Sequence, residues 1–230
     1  MKRLILILNG KGGVGKSFFA VNYVQFLKDK GIAHVAIDSD NENSTLKRFH
    51  PETLFFDLNN GRILNAAFIA LAKTDLVVVD CRAASTDLFI DYFAEIDLSA
   101  ALASLGAKLT LVMPVNHESD SVDQIQRLTA EFGDQCDYVV VRNAAHSDSF
   151  AIFESSDVKA TLAGKLGGRE IKMTRMQDWL VEALNAENLT IAAATKHPSF
   201  CLLDRQRVQI WQRKLFAEIE SAAELLLPSK

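Results

Sequence analysis

The sequence has few cysteines and no long apolar run. Its three cysteines, Cys81, Cys136 and Cys201, form no Cys-x-x-Cys pair and have no histidine at metal-ligand spacing, which argues against a disulfide framework and against a zinc or iron–sulfur site. No stretch approaches the roughly 20 apolar residues that span a bilayer, and the apolar run at residues 4–8 is too short for a signal peptide. These absences predict a protein of the reducing cytoplasm.

The chain also lacks an excess of positive charge. Its 25 Lys and Arg residues against 29 Asp and Glu residues give a formal net charge of −4 at pH 7, which argues against a protein that coats nucleic acid by bulk charge alone. Residues 159–214 nevertheless hold 10 basic and 5 acidic residues, whereas residues 1–158 hold 14 and 21. Positive charge is therefore concentrated late in the chain.

What is present is ordinary globular usage, with 49% hydrophobic and 23% charged residues in a chain of 230. A chain of this size buries about 70% of its extended surface on folding, which is enough for one core. We find no repeat, low-complexity tract or linker, so residues 1–230 are predicted to form a single domain.

Short apolar runs alternate with longer segments of helical spacing. Runs that are apolar throughout are typical of strands covered on both faces of a parallel sheet, so we predict an α/β fold with a doubly wound, mostly parallel sheet flanked by helices. The predicted strands cover residues 4–8, 34–37, 76–79, 109–112, 138–141 and 170–173. The predicted helices cover residues 16–30, 60–73, 85–104, 118–132, 151–163, 176–187 and 202–226.

The first predicted strand runs into a phosphate-binding pattern. Residues 10–17 read GKGGVGKS, which fits G-x-x-x-x-G-K-[ST] between a strand and a helix. The glycines let backbone N–H groups surround phosphate oxygens at the positive end of the helix. In this pattern Lys16 bridges the β- and γ-phosphates of a nucleotide, and the Ser17 hydroxyl ligates Mg²⁺.

A second lysine, Lys11, directly follows the first glycine, and the string KGGVGKS resembles the deviant Walker A motif of the ParA/MinD family of dimeric P-loop ATPases. The resemblance implies that ATP closes a homodimer in which Lys11 reaches the partner's phosphates. Such a cation stabilises charge on the transferring phosphoryl group, as an arginine finger does. Lys11, Lys16 and Asp40 are the catalytic residues that the resemblance implies.

Two acidic strand ends resemble further motifs of that family. Asp38 and Asp40, at the end of the second strand, resemble its switch I, and the resemblance implies that Asp38 holds the Mg²⁺ shell through water while Asp40 orients the attacking water. An acidic turn or a helix cap is the alternative for this pair. Residues 76–80 read LVVVD, which has the Walker B form and ends in Asp80. Ser17, Asp38 and Asp80 are thus the predicted metal-site residues.

The switches also depart from the family pattern. Asn41-Glu42 replaces the usual Pro-Gln in switch I, and Cys81-Arg82-Ala83-Ala84 lacks the prolines of switch II. These departures leave two functions open, a hydrolysing switch and an adaptor that binds nucleotide with little hydrolysis. Arg82 is an additional cation near the predicted phosphates, or a surface arginine.

Asn143, after the strand at 138–141, lies where relatives often place an asparagine that reads the adenine edge; a simple turn residue is the alternative. The predicted nucleotide-binding residues are Gly10, Lys11, Gly12, Gly13, Val14, Gly15, Lys16, Ser17, Phe18 and Asn143.

The resemblance is closest to small ParA-like ATPases of plasmid partition, stability and conjugative transfer, and implies non-specific DNA binding by the ATP dimer and a stimulating or cargo partner protein. A solvated helix face is the alternative for the basic residues. The candidate DNA contacts are Lys159, Lys165, Arg169, Lys172, Arg175, Arg205, Arg207, Arg213 and Lys214.

A MinD-like ATPase that docks on the membrane is the main alternative function. Apolar residues recur at spacings of three and four along the last predicted helix, as in a lipid-facing stripe, although such a stripe more often packs in the core. The stripe consists of Trp211, Leu215, Phe216, Ile219, Ala222, Ala223 and Leu226.

Two enzymes on the same scaffold are disfavoured. A dethiobiotin-synthetase-like ligase usually lacks the early lysine, and an iron–sulfur carrier needs cysteine pairs, which this chain lacks.

Overall fold

The computed structural model describes residues 1–41, 43–57 and 63–229. The strands are β1 Lys2–Ile7, β2 Val35–Asp38, β3 Leu54–Phe55, β4 Leu76–Asp80, β5 Ala107–Val115, β6 Asp137–Asn143 and β7 Arg169–Met173. The helices are α1 Lys16–Asp29, α2 Thr45–Phe49, α3 Ile63–Lys73, α4 Thr86–Ala94, α5 Leu98–Ser104, α6 Ser119–Phe132, α7 Ala151–Glu154, α8 Asp157–Gly164, α9 Asp178–Ala186, α10 Ile191–Ala194, α11 Leu202–Ser221 and α12 Ala223–Leu226.

The strands form one sheet of order β3-β2-β4-β1-β5-β6-β7, and neighbouring strands pair in parallel. The doubly wound α/β prediction is therefore confirmed. The strand order reverses beside β1, between the strands that lead outward to β3 and those that lead to β7. Ligands bind such sheets at the carboxyl ends of the strands next to this reversal, which is where residues 10–17 lie.

Both faces of the sheet are covered, which explains the continuous apolar runs. Leu4 and Leu6 of β1 pack into a core with α3 to α6, whereas Ile5 and Ile7 pack into a second core with α1, α9 and α11. All four side chains are fully buried. Because successive strand residues point to opposite faces, a strand between two helical layers needs apolar residues at every position.

Several element boundaries differ from the prediction. The segment 85–104 is two helices, because the Asp97 carboxylate accepts a hydrogen bond from Ala100 N (2.9 Å) and begins α5. The segment 151–163 also divides, where the Ser156 hydroxyl caps α8 by accepting from Lys159 N. The short elements α2, β3 and α10 were not predicted. The predicted helix start at 60 lies outside the described residues.

The end of the last predicted helix is part of the core. The long helix α11 ends at Ser221, and the short α12 follows. Trp211, Leu215, Ile219 and Leu226 are at most 5% exposed and pack against α1 and the sheet. The core interpretation of the stripe is therefore confirmed, and these side chains are not available to lipid. Among the described residues, no helix is long and apolar enough to cross a membrane.

Two buried polar side chains fix the segment around α12 to the sheet. The Arg3 guanidinium donates to Thr110 Oγ1 (3.1 Å) and to Leu227 O (3.4 Å), and it forms an ion pair with Asp137. The Tyr23 hydroxyl donates to Leu226 O.

Candidate functional site

The loop at residues 10–17 needs glycine at two positions that the structure makes explicit. Gly15 has φ 94°, a conformation that strains side-chain-bearing residues. A Cβ on Gly10 would lie 2.3 Å from Gln124 Oε1 and 2.7 Å from Thr86 Oγ1, so the side chains of α4 and α6 would have to shift to accept a larger residue. The loop is thus packed against side chains of α4 and α6.

The start of α1 is an open anion site. Gly15 is its N-cap, and no side chain caps the helix within the described part of the chain, so the first-turn N–H groups of α1 remain directed at the loop. Lys16 is buried and donates to Lys11 O (2.9 Å) across the loop. Burial lowers the pKa of Lys16, and the nearby Asp80 offsets part of that shift.

Asn9 anchors the beginning of the loop. Its side-chain amide donates to Pro114 O (2.8 Å) and to Ser121 O (3.0 Å), and its carbonyl accepts from Lys11 N (3.0 Å). The side chain is fully buried, and this set of bonds ties the loop to the end of β5 and the start of α6.

The early lysine is held within its own chain. Lys11 Nζ lies 3.0 Å from Glu118 Oε2 and 3.4 Å from Asp120 Oδ2, two carboxylates at the start of α6. Hydrogen bonds to Glu118 and Asp120 raise the pKa of Lys11, so the ammonium is fully charged at neutral pH.

Asp80, at the end of β4, is a buried carboxylate, and its residue is 1% exposed. Neither of its oxygens makes a hydrogen bond of normal geometry in the described part of the structure. Burial and the neighbouring Asp38 carboxylate raise the pKa of Asp80 to about 8, and the nearby Ser17 hydroxyl and Lys16 ammonium offset part of that rise. A buried acid that is compensated only in part is costly for the protein alone and fits a site that a divalent cation completes.

No group of three or more His, Cys, Asp or Glu side chains in the described ranges could hold a metal ion by itself. This agrees with the usual chemistry of Mg²⁺, which keeps several waters and takes few protein ligands beside substrate phosphates.

The two switch I carboxylates have backbone partners. Asp38 is fully buried and accepts from Asp40 N (2.9 Å) and from Lys47 N (3.0 Å) in α2, and its metal role stays a prediction. Asp40 accepts from Asn43 N (3.2 Å) and Asn43 Nδ2 (3.3 Å). Burial raises the pKa of Asp38, and the bonds from Asp40 and Lys47 offset part of that rise.

Ser39 links the end of β2 to the segment after β4, a contact that the sequence analysis did not predict. Its hydroxyl donates to Asp80 O (2.8 Å) and accepts from Arg82 N (3.1 Å), so the backbone after β4 is tied to the end of β2. The next turn reaches the phosphate loop, because Ala84 N donates to Gly10 O (2.9 Å). These hydrogen bonds tie residues 81–84 to β2 and to the phosphate loop, although the segment lacks the prolines of the family pattern.

A cavity of about 540 Å³ opens beside the phosphate loop. It is lined by Gly15 and Phe18, by the end of β6, and by Thr174 and Met176 after β7. Sequence reasoning missed the last two residues, although they directly follow a predicted strand and thus lie at a carboxyl end of the sheet.

Asn143 lines this cavity but is already engaged. Its Nδ2 donates to Val14 O (3.0 Å), and its Oδ1 accepts from Ala145 N (3.1 Å). The side chain therefore supports the phosphate loop from below, and its reading of an adenine edge stays a prediction.

Most candidate DNA contacts are ion-paired. The pairs are Lys159 with Glu154 and Glu170, Arg169 with Glu224, Lys172 with Asp148, Arg175 with Asp178, and Arg207 with Asp204. In the part of the chain that the structure describes, Lys165, Arg213 and Lys214 are exposed and have no ion-pair partner.

Residues 5–154 match the family described as CobQ/CobB/MinD/ParA nucleotide binding domain. The chain belongs to this family. It is similar to Protein MobD of Acidithiobacillus ferrooxidans, with 27% identity over 204 residues that cover 85% of this chain and 87% of MobD. It is also similar to a Protein TraL of Escherichia coli, with 28% identity over 243 residues that cover 98% of this chain and 100% of TraL.

Solved structures of this family share the fold. The septum site-determining protein MinD of Pyrococcus horikoshii, complexed with Mg-ADP, superposes with a TM-score of 0.61 at 15% identity and full coverage of both chains. A Cyanothece McdA–ATP complex gives 0.58 at 14% identity, covering 100% of this chain and 99% of McdA. At such identities the likeness concerns the fold alone.

Proposed function

We propose that this chain is an ATP-dependent dimerising switch, a slow Mg²⁺-dependent ATPase that acts in the partition, positioning or transfer of plasmid DNA. The observation that supports the proposal best is the buried Asp80 carboxylate, which lies near Ser17 and Lys16 of a phosphate loop that carries two lysines, Lys11 and Lys16. A loop that merely connected a strand to a helix would need neither the buried acid nor the open helix terminus.

The chain's own groups divide the work of binding. The first N–H groups of α1 and the Lys16 ammonium hold the phosphates, which requires Lys16 to exchange its bond with Lys11 O for a phosphate oxygen. Ser17 and Asp80 would hold Mg²⁺. The ion, when bound, supplies charge that neutralises the phosphates. The cavity beside Phe18 takes the nucleoside.

Closure of a dimer is the proposed switching step. Lys11 leaves Glu118 and Asp120, reaches the partner's phosphates and stabilises the charge that develops during transfer. Asp40 orients the attacking water once it leaves Asn43. Turnover is slow because closure, rather than the chemical step, limits it.

DNA binding by the closed dimer is assigned to Lys165 and Arg213, which are exposed and have no ion-pair partner among the described residues. Two copies of this set in a dimer provide the cations that a phosphate backbone requires. A partner protein stimulates hydrolysis or serves as cargo.

The experiment combines nucleotide binding with oligomeric state. Binding of a fluorescent ATP analogue is measured for wild type, Lys16→Ala and Lys11→Ala, and mass is measured by light scattering in Mg²⁺-ATP and Mg²⁺-ADP. We expect Lys16→Ala to lose nucleotide binding, and Lys11→Ala to bind nucleotide but remain monomeric. Lys30→Ala, which removes an exposed lysine directly after α1, is the matched control.

Retained affinity in Lys16→Ala would contradict the phosphate-loop assignment. If Lys11→Ala still dimerises in Mg²⁺-ATP, Lys11 is not needed at the dimer interface. ATP dimerisation without any hydrolysis would favour the adaptor.

A separate titration tests DNA binding. A labelled random-sequence duplex is titrated in Mg²⁺-ATP and in Mg²⁺-ADP at two salt concentrations. We expect binding only with ATP, weakening steeply as salt rises. Binding that is equal in both nucleotides would contradict a switch.

A further inference from the structure

A second groove lies behind the nucleotide cavity, between α11 and the loop that joins β7 to α9. It has a volume of about 280 Å³. Its floor is Trp211, whose indole donates to Thr174 O (2.6 Å), and its rim carries Arg175, Arg207 and Lys214. None of these rim residues belongs to the nucleotide site described above.

The exposed face of α11 beside this groove combines apolar and basic side chains in a regular order. Leu203 and Ile210 are 57% and 45% exposed and lie seven residues apart. Arg207 and Lys214 follow each of them by four residues, so all four side chains share one helix face. Trp179 of α9 is 53% exposed and lies against the Asp204 carboxylate at the same end.

We propose that this groove and helix face dock an acidic amphipathic helix of a partner protein. Apolar residues repeated every seven positions and flanked by charges of one sign match the contacting edge of a helix pair. The partner helix places its apolar residues on Leu203 and Ile210, and its carboxylates face Arg207 and Lys214. Arg175 and Arg207 pair with Asp178 and Asp204, whereas Lys214 has no ion pair with any residue that the structure describes.

The same features argue against the two other classes of occupant. A DNA backbone would leave Leu203, Ile210 and Trp179 without apolar contacts, because proteins bind that backbone mainly through its phosphates. An anionic lipid surface is flat, whereas this site is a concave groove beside a helix face.

Contacts connect the groove to the nucleotide site. Trp211 packs its ring against Phe18, with centroids 5.4 Å apart, and Phe18 directly follows the phosphate-loop residue Ser17. Thr174 and Met176 line both the groove and the nucleotide cavity. The docked helix is thus placed to influence nucleotide turnover; this last clause rests on the proposed ATPase function, whereas docking does not.

The test uses a fluorescein-labelled, three-heptad model helix with leucine at the a and d positions and glutamate at e and g. A control helix carries lysine in place of glutamate. The fluorescence anisotropy of each labelled helix is measured without nucleotide, so the result is independent of ATP binding. We expect the acidic helix to bind and the control helix not to bind.

Substitutions assign the binding to the surface. Leu203→Ser combined with Ile210→Ser, and separately Lys214→Glu, should weaken binding by roughly tenfold or more. Ile69→Ser is the control, because Ile69 is 60% exposed on α3 at the other face of the sheet. These side chains are exposed, so thermal melts should show that every variant is folded.

Three results would overturn the proposal. One is equal binding of both helices, or binding that the variants leave unchanged. A second is duplex DNA binding that Lys214→Glu abolishes and the serine variant preserves, which would make the face a nucleic-acid surface. The third is binding to phosphatidylserine vesicles that the serine variant abolishes, which would make it a lipid surface.

Discussion

At the residue scale, Asp80 couples stability to pH. The pKa of Asp80 is about 8 in the folded chain, whereas an unfolded aspartate titrates near 3.9. Between these values the native state binds more protons than the unfolded state, so this carboxyl makes the nucleotide-free protein less stable as pH rises. Asp80→Asn should remove this effect. Relative to wild type, the variant should gain roughly 2–4 kcal/mol of unfolding free energy between pH 5 and pH 8.

Urea unfolding at the two pH values measures this gain, with the exposed Asp75→Asn at the start of the same strand as control. Adding Mg²⁺-ATP should stabilise wild type and not the Asp80 variant. A gain that does not change with pH would show that Asp80 is ionised throughout.

Asn143 has two candidate roles, support of the phosphate loop and contact with the adenine edge, and one substitution distinguishes them. Because its amide donates to Val14 O, Asn143→Ala should loosen the phosphate loop whichever base is bound. We expect the affinities for ATP and GTP to fall together, by about 1 kcal/mol, the worth of a typical hydrogen bond. Isothermal titration with both nucleotides checks this. A loss confined to ATP would instead assign Asn143 to the adenine edge.

These two residues also show what the sequence determines at this scale. The phosphate loop is a local pattern, so each of its positions could be named from the sequence, and Asp80 could be found at the end of an apolar strand. The partners of Asn143 and Lys11 lie more than 100 residues away in sequence, at Val14 and Glu118. Such contacts depend on tertiary packing that motif spacing does not contain.

At the scale of elements, the segment around α12 is fixed by Arg3. This guanidinium is 3% exposed and joins β1 to Thr110, Asp137 and Leu227. Arg3→Ala leaves several buried acceptors and one carboxylate without a donor, and should cost about 3 kcal/mol of unfolding free energy. Urea unfolding measures the loss.

Lys30→Ala is the matched control at this scale. It breaks an exposed ion pair between Lys30, directly after α1, and Glu220 of α11, and it should cost less than about 0.5 kcal/mol because solvent screens such pairs. Equal losses in the two variants would mean that burial of Arg3 contributes nothing.

Elements differ in how well the sequence predicts them. The central strands were found because residues covered on both faces must be apolar throughout, and that is visible without tertiary information. The breaks before α5 and α8 were missed because apolar spacing continues across Asp97 and Ser156, although both are good cap residues. The two-residue strand β3 is too short to leave any pattern.

At the scale of the whole molecule, the sheet order brings distant segments to one edge. The ends of β1, β2, β4 and β6 carry the phosphate loop, switch I, Asp80 and Asn143, which are spread over more than half the sequence. Alternating strands and helices predict a parallel sheet, but the position of each strand in it follows from packing. The sequence analysis therefore predicts no strand order, because neither spacing nor composition contains it.

The switch from monomer to dimer that we propose involves the whole molecule, and in the single chain Lys11 is paired with Glu118 and Asp120. These side chains are exposed, so the pairs are weak and screened by salt. Glu118→Gln combined with Asp120→Asn should release Lys11 and strengthen ATP-dependent dimerisation by roughly two- to fivefold, with a smaller dependence on salt. Sedimentation equilibrium at two salt concentrations measures both effects. Asp123→Asn, an exposed acid on α6 without an ion pair to Lys11, should change neither. Weaker dimerisation of the double variant would mean that the two acids hold Lys11 inside the dimer rather than competing with it.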